Sequence, residues 1–181
     1  MEDGHLAEKR RARRNLIPIV GGQAVSLFGD YIAFFTLPYF MLSLTGEAID
    51  LGLTAAAETL PMIMFGLAAG VFLDRRRRLG WTLIGVDLVR AAAFVILAIA
   101  ASAGAGTPIL VFSVAFVVGS MAVLFDSGLQ SWMTRSLLEE DLVRANAQMG
   151  LARTITLSVG PLAGGIIVAL AGGCAIAFGL N

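Results

Sequence analysis

Four consecutive arginines, Arg75 to Arg78, stand between two long apolar segments in the stretch Gly70-Val-Phe-Leu-Asp74-Arg75-Arg76-Arg77-Arg78-Leu79. Adjacent guanidinium groups cannot rest in hydrocarbon, where each costs about 2.5 kcal/mol or more near the centre of a spanning helix. The flanking segments each exceed the ~20 residues needed to cross ~30 Å of hydrocarbon. The loop must therefore lie on a wet face of a membrane, and the positive-inside rule makes that face cytoplasmic.

Composition agrees: 57% of the 181 residues are hydrophobic and 14% charged, where a soluble domain carries about a quarter charged residues. An all-α integral membrane protein is expected. The formal net charge is zero, but every Lys and Arg falls in the N-terminal arm, the arginine loop, the segment Arg135 to Arg153, or at Arg90. The regions read as external hold none. Cys174 is the single cysteine; it excludes an internal disulfide, offers no metal-ligand spacing, and is expected to be a small packing residue. Residues 1–15 lack the apolar stretch and cleavage site of a signal peptide and read as a basic cytoplasmic arm, with His5 inert.

The transmembrane bundle occupies 16–181. Hydropathy places spanning helices at about 16–43, 51–73, 80–102, 108–132 and 149–171, with a sixth opening at 174–181. Pro18 falls in the first turn of segment one, where a missing N–H costs little, and Pro38 and Pro61 are expected to kink their helices. Leu44 to Asp50 and Ala103 to Thr107 are external links. Gly66 and Gly70 share one helix face and are expected to admit a neighbouring backbone. Asp87 and Arg90, three apart, can pair and so lower the cost of two charges in a spanning helix. Asp126 and Trp132 lie toward the inner end of segment four, the tryptophan at headgroup depth. Thr134 to Gln148 is amphipathic and too charged to span; Ser136 followed by Glu139 fits a capping box, so a short interfacial helix is expected there. Eight residues cannot complete helix six, which predicts a fragment, a truncated reading frame or one piece of a larger protein.

Gly70, Asp74, Arg75 and Arg78, set between the second and third spans, resemble the signature loop of the major facilitator superfamily, Gly-x-Leu-Ala-Asp-Arg-x-Gly-Arg-Arg/Lys. Phe72, Arg77 and Leu79 depart from it. The resemblance implies the N-terminal helical bundle of a major facilitator fold, here five complete transmembrane helices plus the start of a sixth. It also implies that the glycine allows close helix contact. The aspartate would accept hydrogen bonds from a helix N-terminus of the opposite half and from a nearby arginine, as a conformational lock. The bland alternative is a positive-inside anchor.

Gly160-Pro161-x-x-Gly164-Gly165 resembles the core of the antiporter motif of drug-exporting members; Thr156 and Ala147 stand where the fuller pattern has glycines. Pro161 removes one backbone bond and the glycines permit a bend, a hinge for a gated helix; ordinary glycine-rich packing is the alternative. Phe28-Gly29-Asp30 with Leu37-Pro38, Leu60-Pro61, Asp87-x-x-Arg90 and Asp141-Leu-x-Arg144-Ala-Asn146 together resemble the macrolide and siderophore exporter branch.

A lone mid-membrane carboxylate needs a proton or a partner, so Asp30 is a proton-coupling candidate, or else a structural hydrogen-bonding group with Gln23 as companion. Glu58, nearer the outer water, is a second. Asp87, Arg90, Asp126 and Arg153, with Asp74, fall toward the cytoplasmic side, where they form either a gate of exchanging pairs or a static network. The expectation is part of a proton-coupled exporter of a small lipophilic or amphipathic compound in the plasma membrane. The proton gradient would be its energy source, with no cofactor and no metal. Its partners would be the lipid bilayer, a small-molecule substrate and a C-terminal six-helix half missing from this chain, and no nucleic acid. A non-transporting membrane interaction module and a nutrient importer of the same superfamily stay open. An enzyme is not expected, since no nucleophile with a nearby histidine, metal constellation or phosphate-cradling loop is present.

Overall fold

The computed structural model describes residues 16–76, 79–137 and 139–171, with side chains from 26 onward except at 136, 140 and 167–171. The N-terminal arm with His5, Arg77 and Arg78 of the loop motif, Leu138, Cys174 and the expected sixth helix lie outside the described residues, as does the side chain of Gln23.

All described secondary structure is helical: α1 Leu16–Thr45, α2 Ala48–Asp74, α3 Leu79–Ser102, α4 Pro108–Ser136 and α5 Glu139–Ala171. Among the described residues four helical spans are long and apolar enough to cross a membrane: Ser26–Thr45, Ala48–Asp74, Leu79–Ser102 and Pro108–Arg135. Their outer faces carry large apolar side chains, with Leu67 93% and Ile63 84% exposed. Such a surface marks contact with lipid or with further protein.

Local chemistry explains the ends. Gly46 follows α1 with φ +73°, donating its N–H to the Leu42 carbonyl at 2.8 Å; only a residue without Cβ takes this left-handed turn cheaply. Thr107 caps α4 by accepting from the Leu110 N–H, and Pro108 supplies a first turn that needs no donor. Two boundaries differ from expectation. The first external link shrinks to Gly46 and Glu47, because α1 runs to Thr45 and α2 begins at Ala48. No separate interfacial helix forms: Thr134 to Ser136 extend α4, and Glu139 to Gln148 are continuous with the fifth segment in one 33-residue helix. The reason is packing, since Ala145 is fully buried against a cluster of Phe125, Leu129, Met133 and Leu137, with Leu142 beside it.

Helix α2 packs most extensively on α4, α1 on α5, and α3 on α4. Two apolar cores result. One joins Ala33, Leu37 and Met41 of α1 to Phe94 and Leu97 of α3 and Val111 and Val114 of α4. The other, toward the arginine loop, joins Val86 of α3 to α4 and Ala145 of α5. On α3 the boundary between them falls at Arg90, after Val86 and before Ala93.

Candidate functional site

Charge collects at the junction of the two cores. Asp30 of α1 forms an ion pair with Arg90 of α3, Nη2 on Oδ1. Arg90 Nη1 also lies 3.4 Å from Asp87 Oδ1, one helical turn back. Arg90 is 5% exposed, a depth at which a guanidinium is stable only when paired. Asp126 of α4 also lies within electrostatic reach of Arg90, and it in turn accepts from Arg153 of α5 at 2.8 Å. Charges of alternating sign thus run α1, α3, α4, α5. Asp30 thus has the Arg90 guanidinium as a partner, while the Gln23 side chain lies outside the described residues. Sequence spacing misses that link because it shows pairs within one helix and is silent on which helices face each other.

These pairs border a cavity of about 530 Å³. Its wall is apolar at Leu27, Phe34, Met62 and Val118, and charged at Asp30, Arg90, Asp126, Arg153 and Glu58. Glu58 of α2 is 8% exposed, and its Oε2 has no hydrogen-bond partner among the described residues. The backbone holding it is fixed by close packing, because the Glu58 carbonyl lies against Gly119 of α4, where a Cβ would collide with it.

A second cluster sits at the arginine loop. Ser131 Oγ of α4 donates to Asp74 Oδ1 at 2.7 Å. Arg135, one turn further on, donates to the Asp74 carbonyl and, at 3.1 Å, to the Arg76 carbonyl, with its Nη2 3.6 Å from Asp74 Oδ1. Those carbonyls close the C-terminal turn of α2, where a cation is favoured. Arg76 itself stacks over Phe72 at 4.5 Å. The described partners of Asp74 are thus Ser131 and Arg135, and those of the Asp30, Asp87, Arg90, Asp126 and Arg153 group lie within that group. Sequence reasoning misses Ser131 and Arg135; their four-residue spacing on one helix face is the available signal.

Glycine packing also differs from expectation. A methyl added at Gly66 or Gly70 would meet nothing within 4 Å, so no described backbone approaches either glycine closely. Close contact falls instead at Gly119, at Gly128 against Leu83, and at Gly160, where a Cβ would stand 2.7 Å from Tyr31 Cβ. Gly160 and Gly164 face Tyr31 and Ile32 of α1, and α5 stays helical through Pro161; Gly165 faces nothing within 4 Å.

Long apolar helices and an arginine-flanked turn define a multi-pass helical membrane protein, here with a charged layer bordering a cavity. Residues 14–181 match the family described as transmembrane secretion effector, and the chain belongs to that family of the major facilitator superfamily. It is 30% identical over 144 residues to macrolide efflux protein A of Streptococcus pyogenes, covering 79% of this chain and 35% of that protein. The same figures hold for macrolide efflux protein A of S. pyogenes serotype M6 (strain ATCC BAA-946 / MGAS10394). The chain thus spans 35% of the length of the curated relatives it matches. No solved structure matches it.

Proposed function

We propose that this chain forms the N-terminal half of a proton-coupled exporter that moves a small lipophilic or amphipathic compound outward by alternating access. The observation that carries the proposal is the alternating ion-pair layer bordering the cavity, Asp30 to Arg90 and Asp126 to Arg153. Protonating Asp30 removes one partner of Arg90, which then redistributes toward Asp87 and Asp126. The exchange changes how α1 is held to α3, and so ties proton uptake to helix movement.

In this scheme the arginine loop faces the cytoplasm of a plasma membrane, α5 is the fifth spanning helix, and a second six-helix half supplies the other wall of the cavity. Gly70, Asp74, Arg75 and Arg78 form the conformational lock, with Gly66 and Gly70 open for that half to approach. The relatives' description as macrolide efflux proteins supports the direction and the lipophilic cargo.

The test is Asp30→Asn in the full-length protein, with macrolide efflux followed at several pH values. Proton-driven efflux is lost and expression is unchanged if Asp30 carries the coupling proton; unaltered efflux removes it from that role.

A further inference from the structure

The cavity wall holds one carboxylate more than its guanidinium groups neutralise. Arg90 is taken by Asp30 and Arg153 by Asp126, which leaves Glu58. Its Oε2 is buried with no partner among the described residues, 8% of the residue being exposed. A carboxylate so placed is costly to ionise without a counter-charge, and that cost is removed when a cation docks beside it. Around it the wall is apolar, with Leu27, Phe34, Met62 and Val118 among the lining residues. The α2–α4 contact at Gly119 holds the Glu58 backbone in place, so the point from which the carboxylate reaches into the cavity is set before any ligand arrives.

We infer that Glu58 is the cation-recognition residue of this cavity, and that the compound bound there is a lipophilic organic monocation whose charge pairs with Glu58 and whose apolar body lies against α1, α2 and α4. The assignment rests on the export proposal for its biological meaning, but binding tests it without transport. Apolar contacts give affinity to any ligand of this size; the unpaired carboxylate supplies the discrimination between a cation and its neutral analogue.

The experiment measures equilibrium binding to the full-length protein in detergent, using tetraphenylphosphonium as the permanent monocation and triphenylphosphine oxide as the neutral probe. For Glu58→Gln, tetraphenylphosphonium binding weakens by about 10- to 100-fold while triphenylphosphine oxide stays within about twofold. Retained neutral-probe binding shows that the variant is folded. Glu58→Asp keeps the charge and retains cation binding within about tenfold of wild type. Equal cation binding by wild type and Glu58→Gln overturns the inference, as does an equal loss of both probes or a wild type that does not bind the cation. Absence of gradient-driven movement of either probe in wild-type vesicles overturns the export proposal instead, and leaves a selective loss of cation binding in Glu58→Gln as support for the site.

Discussion

Replacing Arg90 with methionine keeps much of the side-chain volume and removes the one cation that serves both Asp30 and Asp87. Asp87, whose side chain is 47% exposed, keeps part of its solvation. Asp30, at 26%, loses its partner at the junction of two apolar cores. Leaving one member of a buried pair uncompensated costs about 3–5 kcal/mol, which lowers the unfolding midpoint of the full-length protein by several degrees. Asp30→Asn alone is milder, because Arg90 retains Asp87 at 3.4 Å and loses only one charge-assisted bond, about 1.5–3 kcal/mol. The double variant Asp30→Asn/Arg90→Met has no orphan charge on the α1–α3 contact. It should therefore be more stable than Arg90→Met, with a coupling energy of about 1.5–3 kcal/mol. Thermal unfolding of the four full-length proteins in detergent gives the cycle. Strict additivity, or an Arg90→Met midpoint within about 2 °C of wild type, would refute the assignment of Asp30 and Arg90 as a structural pair.

Gly119→Val drives a branched side chain into the Glu58 carbonyl, a backbone atom that cannot rotate away; α2 and α4 must separate, and the yield of monodisperse protein should fall several-fold. Gly160→Ala puts a methyl 2.7 Å from Tyr31 Cβ, about 1 Å inside normal contact, at a cost of about 1–3 kcal/mol in a denaturation midpoint. Gly165→Ala, with open space at its Cβ, should be neutral or mildly stabilising in the same assay. Arg135→Ala removes the donors that hold the Asp74 and Arg76 carbonyls, and trypsin should then cut at the arginine loop several-fold faster; an unchanged rate would mean that Arg135 does not order that turn.

Much of this architecture is legible in the sequence because hydropathy and charge act locally. Four arginines must be wet, so the end of α2 and the start of α3 are fixed within a residue or two, and Thr107-Pro108 marks the start of α4 by its chemistry. The fifth segment is harder to read. Its charged first half resembles a surface helix, and only the burial of Ala145 beneath α4 shows why it continues unbroken into the apolar half. Charge spacing along one helix predicts that Asp87 reaches Arg90, but nothing local predicts that Asp30, far upstream on another helix, occupies the same guanidinium. Glycines carry the same lesson: Gly66 and Gly70 have the small-residue spacing, yet the tight contacts fall on Gly119 and Gly160, because contact depends on which helix passes nearby.

The most direct measurement reconstitutes the full-length protein in vesicles, imposes a proton gradient, and follows a labelled macrolide against time, with Asp30→Asn beside wild type. Macrolide movement opposite to the proton flow in wild type, collapsed by a protonophore and absent in Asp30→Asn, is expected if Asp30 carries the coupling proton. Movement that ignores the gradient, or that Asp30→Asn leaves intact, contradicts it.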